Sequence, residues 1–369
     1  MHFTRYTLIA MALGLGLSAS LAVIRAAESP KPTVSLVQPP AAAVKLEPFV
    51  RESFQPGLPK VVEKEDVVHT QAQVDLGRML YFEKRLSKNH DISCNSCHQL
   101  DKYGVDGEAT SPGHRKQRGD RNSPTVYNAA GHVAQFWDGR AEDVEAQAKG
   151  PILNAIEMAM PDQGFVVRTL KSIPGYVDAF AQAFPGEKDP ITYDNLAVAI
   201  GAFERRLLTP GRFDRFLAGE DGALTDAEKQ GLKTFVDVGC IACHNGPYVG
   251  ARIFQKVGLI RPWPVEEGKT LDLGRQGVTK QGADKHVFKV PSLRNIAKTG
   301  PYLHNGSIKE LPQMVRLMAR HQLGREVTDE QVDAMVAFLN ALTGELPKDY
   351  IKPPTLPASG PQTPKPDPS

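Results

Sequence analysis

The 369-residue chain has only four cysteines, two tryptophans and 7% aromatic residues. Four cysteines are too few for a disulfide scaffold over this length. Charge of one sign is also missing: 44 Lys plus Arg stand against 42 Asp plus Glu, a formal net charge of +2. So even a balance makes no general basic field, which argues against nucleic acid as a partner. No series of alternating apolar and polar segments marks a β-sheet protein. Full disorder is excluded too, because 41% of the residues are hydrophobic and 23% charged. The long apolar run is Thr7 to Ile24, behind Arg5 and ahead of Ala26 and Ala27. Residues 1–27 therefore read as a signal peptide or an N-terminal anchor, and either takes the body of the chain out of the cytoplasm.

What is present is helical patterning. Leu196, Ile200, Phe203 and Leu207 recur at helical spacing. Thr225 to Glu228 and Thr328 to Gln331 read as capping boxes. The first opens a helix that runs out at Gly239, directly before Cys240. The second opens a helix with Val332, Met335 and Leu339 inward and Gly344 as the expected C-cap. Segments 100–135 and 245–305 are long loops rich in Gly, Pro and Asn, a habit of chains that wrap a ligand. Residues 28–45 read as a Pro-rich linker and 347–369 as a Pro-rich disordered tail.

All four cysteines fall into two pentapeptides, Cys94-Asn95-Ser96-Cys97-His98 and Cys240-Ile241-Ala242-Cys243-His244. Each has the spacing of a c-type haem attachment site: two thiols for the two vinyl groups, then a histidine for the proximal iron position. A thioredoxin-like redox pair expects a βαβ setting. A four-cysteine zinc site leaves both histidines unexplained. Two structural disulfides are a third rival. Two covalently bound haem c groups account for every cysteine. Loss of the leader removes Arg5 and Arg25, leaving basic and acidic residues equal in number. Two propionates per haem then make the holoprotein mildly acidic, about −4.

The sixth ligand decides whether such an iron carries electrons or does chemistry. Met318 shares a helix face with Leu311 and Val315, and by pattern alone it reads as core. His114 and His304 lie in Gly-rich loops, better settings for a ligand than those of the other uncommitted histidines.

Over residues 46–346 the chain resembles the bacterial di-haem cytochrome c peroxidase family. The stretches CNSCHQL, TSPGHR, RNSPTVYNAAGHVAQFWDGRAEDVEAQAKGP, FVDVGCIACHNGP, FKVPSLRN and GPYLHNGS carry the likeness. The resemblance implies a mainly α fold of two cytochrome c-type domains with long ordered loops. Residues 60–207 would hold the N-terminal, peroxidatic haem. Residues 208–346, with 44–59 packed on them, would hold the C-terminal, electron-transfer haem. It implies His98 and His114 on the first iron and His244 and Met318 on the second. Trp137 becomes the conduit between haems, Gln147 and Glu157 the groups at the open face, and Phe136 part of a mobile loop. A calcium ion is implied at Asn122, Thr299 and Pro301. The implied reaction is periplasmic reduction of H2O2 to water. Electrons would come from a small c-type cytochrome or a cupredoxin, and the enzyme would be a homodimer. Glu157 is the only carboxylate between Pro151 and Pro161, so apolar surroundings should raise its pKa.

Two rivals remain. Related di-haem oxidases that modify another protein carry Tyr at the position of Met318, and no Tyr lies between Tyr302 and Tyr350. A non-catalytic di-haem electron carrier would keep both irons permanently six-coordinate, with His304 a possible ligand of the second.

Overall fold

The computed structural model describes residues 44–64, 67–265 and 270–369. The leader 1–27 and most of the linker 28–45 lie outside the described residues. The fold is mainly helical. Among the described residues the only paired strands are Phe254–Lys256 and Val287–Lys289, an antiparallel pair. No helix among them is long and apolar enough to cross a membrane. The described residues fall in one compact unit, and its apolar side chains gather into separate clusters.

The first cluster is built by helices Gln71–Phe82, Val144–Leu153, Gln163–Lys171, Pro174–Ala183 and Tyr193–Glu204. Helix 71–82 starts at a capping box of Thr70 and Gln73, which satisfies two of the backbone N–H groups left open at a helix start. It crosses helix 193–204 at Gly77, where a Cβ would sit 1.8 Å from the Ala199 carbonyl oxygen. Phe203 packs beside this crossing. The second cluster repeats the device. Helix Asp226–Val238 starts at the Thr225–Glu228 capping box and crosses helix Asp329–Ala341, itself capped by Thr328 and Gln331. The crossing is at Gly231, where a Cβ would lie 1.9 Å from the Ala334 oxygen, with Phe338 beside it. Val50 and Phe54 join this second cluster, Phe54 edge-on to Phe213 at 5.4 Å.

Two expectations fail here. Helix 329–341 is capped by Leu342, not Gly344. Gly344 is needed further on, where the chain passes so close to Thr209 that a Cβ would meet its carbonyl oxygen at 1.8 Å. Residues 347–369, expected to be a disordered tail, lie along the first half instead. Ile351 is buried, and the Tyr350 ring stacks on Phe203 at 5.0 Å. Arg85 donates to the Pro357 carbonyl at 2.8 Å and to the Ser359 hydroxyl at 2.9 Å. Proline lowers the entropy of the free chain, so a Pro-rich segment loses less on being laid down.

Candidate functional site

In each motif a single helical turn brings two thiols to one side. Cys94–Cys97 is one α-turn, and the His98 N–H donates to the Cys94 carbonyl at 2.9 Å. Cys240–Ala242 is a tighter 3₁₀ turn entered through Gly239 at φ 103°, a left-handed position suited to glycine. There the His244 N–H donates to Cys240 at 3.0 Å. All four thiols, His98 and His244 line one continuous cavity of about 410 Å³.

The donor set fits two covalent haems. No disulfide joins the four cysteines, and among the described residues no group of three or more His, Cys, Asp and Glu gathers as a metal site. Burial pushes the Cys97 thiol up to about 11 and Cys240 to about 12, with Cys94 and Cys243 also raised. Redox-active cysteines are shifted the other way, so the redox-pair reading loses support. The Nδ1 of His98 lies 2.9 Å from the Pro124 carbonyl. A carbonyl only accepts, so Nδ1 carries the proton and Nε2 keeps its lone pair for a metal. Burial favours neutral imidazole at both motif histidines, holding His244 down at about 4.

Phe136, Trp137, Gln147 and Glu157 all border this cavity. Glu157 sits in the turn after helix 144–153, where the Asn154 amide donates to its Oε1 at 2.9 Å. Burial raises its pKa, opposed by the charge of Arg140 and by the Asn154 hydrogen bond. Phe136 adopts φ 63°, a conformation costly for a bulky residue. Arg140 lies over the Phe136 ring at 3.4 Å and pairs with Asp138. Trp137 donates from Nε1 to the Asn122 carbonyl at 2.9 Å and packs in a cluster that reaches Met314 and Met318. Trp137 thus bonds to the main chain of the first half and shares an apolar cluster with side chains of the second.

The wall near the second motif differs. Leu311, Val315, Leu323, Met335 and Leu339 pack with Cys240 in one apolar cluster. Helix Leu311–Gln322 also brings Met318 to the cavity, and Met314 with it. His304 borders the cavity as well, stacked on Phe288 at 4.2 Å and edge-on to Trp137 at 6.5 Å. Asn122, Thr299 and Pro301 line the same space, as does Arg121, which pairs with Asp138 and Asp272.

One predicted residue is not among these. His114 is absent from the cavity lining, and its Nε2 lies 2.9 Å from the main-chain oxygen of Ser369. Its backbone remains close, since the His114 N–H donates to the Glu157 carbonyl at 2.7 Å. Gly113 permits this approach, because a Cβ there would lie 2.0 Å from the Ile156 oxygen.

Sequence reasoning assigned no role to Arg140 or Lys289, although FWDGR and FKVPSLRN contain them. Lys289 is buried at the cavity and donates to the Ala134 carbonyl at 2.7 Å, with His132 Nδ1 at 3.4 Å. Burial lowers it to about 7. A buried cation held mainly by a carbonyl was the signal, and it shows only in three dimensions.

Residues 71–222 match the family model described as di-haem cytochrome c peroxidase. The chain is 44% identical over 334 residues to the cytochrome c551 peroxidase of Pseudomonas aeruginosa, covering 90% of this chain and 96% of that protein. It is 46% identical over 292 residues to the cytochrome c551 peroxidase of Nitrosomonas europaea, covering 79% and 85%. Among solved structures it is similar to a MauG-like protein associated with microbial copper homeostasis. That likeness has a TM-score of 0.70 and 26% identity, over 81% of this chain and 97% of the other.

Proposed function

The chain belongs to the di-haem cytochrome c peroxidase family, and on that premise we propose that it is a periplasmic enzyme reducing hydrogen peroxide to water with electrons from a small redox protein. Its cofactors are two haem c groups, one on Cys94 and Cys97 with His98, the other on Cys240 and Cys243 with His244. The single observation that carries the reading is the asymmetry of one cavity. A carboxyl, an amide and a guanidinium border it from residues 136–157, while thioethers and aliphatic chains surround the second motif.

When bound, the first haem would supply the iron at which peroxide is reduced, and the two haems together would supply the two electrons that, with two protons, turn it into two waters. The chain moves the protons. Glu157 accepts the proton of the inner peroxide oxygen and returns it to the outer one, acting as base and then acid. Burial raises its pKa, which makes the carboxyl a readier proton carrier than an exposed glutamate. The Asn154 contact fixes the carboxyl, and the Gln147 amide, which cannot titrate, orients the peroxide. Electrons enter at the His244 and Met318 side and cross at Trp137. His114 would be a ligand of the first iron that is released on activation, with the Phe136 loop moving alongside it. We assign residues 60–207 to the peroxidatic domain and 208–346 to the electron-transfer domain, with 44–59 on the latter.

Calcium held by the Asn122 side chain and the Thr299 and Pro301 carbonyls would couple the halves, oxygen ligands suiting a hard cation. The donor, a small c-type cytochrome or a cupredoxin, docks transiently over the second haem, and the enzyme works as a homodimer. Met318 in place of Tyr weighs against an oxidase that modifies another protein. The optical spectrum of the half-reduced protein, before and after peroxide and a reduced cytochrome, tests the reading. A high-spin signal on half-reduction that peroxide consumes supports it. Two unchanging low-spin haems would mean an electron carrier. Chelation of calcium should uncouple reduction of the second haem from release of His114.

A further inference from the structure

We propose that residues 353–369 form a strap that positions His114, holding its ring turned away from the cavity once the enzyme is activated and so keeping the peroxide position on the first haem open. The inference rests on His114 being the ligand that must leave. Three observations carry it. First, His114 is 5% exposed, does not line the cavity, and has Nε2 at 2.9 Å from the Ser369 main-chain oxygen. That oxygen only accepts, so Nε2 carries the proton and has no lone pair for iron. This contact and iron ligation through Nε2 exclude one another.

Second, the strap is anchored along its length. Arg85 holds the Pro357 carbonyl and the Ser359 hydroxyl. Gly360 lies against Ser172 so closely that a Cβ would come 2.2 Å from its carbonyl oxygen, and the Ser172 and Thr363 hydroxyls meet at 3.0 Å. At the end, the Asp367 N–H donates to the Lys88 carbonyl at 3.0 Å. Lys88 Nζ in turn donates to the Ser369 oxygen at 2.8 Å and its hydroxyl at 3.1 Å. Lys88 and His114 are tied to the same turn, the former to Met158 at 2.8 Å and the latter to Glu157 at 2.7 Å. The strap thus closes a ring of contacts around the segment that carries the proposed acid–base group.

Third, the hinge is strained. Arg115 and Lys116 follow His114 at φ 56° and 60°, consecutive left-handed residues that persist only where the surroundings hold them. Release of the strap frees this segment to let the imidazole swing to the iron.

The test compares the half-reduced, haem-loaded full chain with a chain ending at Lys352, by electron paramagnetic resonance and optical spectra. The full chain should show a high-spin first haem. Truncation should raise the low-spin fraction roughly fivefold, the population change that one or two lost hydrogen bonds produce, and should introduce a lag before turnover. His114→Ala in the truncated chain should return the high-spin signal, which a general loosening of the fold would not do. Lys88→Ala in the full-length chain releases the strap end without shortening it and should act in the same direction, so the proposal stays testable if the truncated chain folds poorly. Spectra unchanged by either variant would overturn the strap. A low-spin signal that survives His114→Ala would overturn the assignment of His114 itself, and the strap with it.

Discussion

The two halves of the molecule are built alike and lined differently. Each places a capped helix just ahead of its cysteine motif and crosses it with a later helix at a glycine, Gly77 over Ala199 and Gly231 over Ala334. An aromatic from the later helix, Phe203 or Phe338, packs at each crossing. Beyond this shared frame the walls diverge. Glu157, Gln147 and Arg140 face the cavity from residues 136–157, whereas Leu311, Val315, Leu323 and Leu339 pack beside Cys240 of the second motif. The motif histidines differ too: His98 has a carbonyl partner at Nδ1, while His244 Nδ1 is buried without one. A common frame therefore holds two like groups, and the side chains around each decide whether it transfers electrons or handles protons.

That contrast can be broken most severely at Glu157. Glu157→Ala should cut peroxide turnover by about 10² or more while leaving the spectra of both haems intact, since proton transfer by a placed carboxyl contributes that much. Steady-state rates alongside optical spectra check it, and full turnover would assign the proton to another group. Met318→His attacks the other wall. It should lower the second haem's potential and suppress reductive activation, because histidine stabilises the ferric state relative to a thioether. Potentiometric titration reads the shift, and unchanged activation would remove Met318 as the ligand.

The shared frame is tested by Gly77→Ala and Gly231→Ala. Each forces a methyl into a main-chain carbonyl and should cost roughly 2–3 kcal/mol. Denaturant unfolding followed at each haem band should show the nearer half lost first. The smallest effect is expected from Arg140→Ala. Burial already raises the Glu157 pKa, and the Arg140 charge opposes it. The base must be ionised to accept a proton, so activity falls as pH drops through that pKa. Removing Arg140 should move this acidic limb to higher pH by a fraction of a unit, read from a pH–rate profile.

Legibility followed how local each feature is. The attachment motifs were plain because their chemistry needs residues adjacent in sequence. The capping boxes at Thr225 and Thr328 formed as read, since a cap is made within one turn. The raised pKa of Glu157 was legible in its apolar neighbours, but the opposing charge of Arg140 was not. Helix 311–322 brings Met314 to the cavity beside Met318, which the periodic pattern did not single out. Gly344 was misread as a cap because only the folded chain shows Thr209 lying against it. The tail misled for the same reason. Its composition is that of a chain with little to bury, yet Arg85, Lys88 and Ser172 offer partners from distant parts of the sequence.

By itself the sequence determined the helical class, the two cysteine motifs and the family, because those rest on spacings of a few residues and on long ordered stretches of like sequence. Tertiary structure alone decided that both motifs open into one cavity, that its walls differ in chemistry, and that His114 is turned towards Ser369. Those facts depend on residues hundreds of positions apart meeting at hydrogen-bond distance, and no local spacing encodes such a meeting.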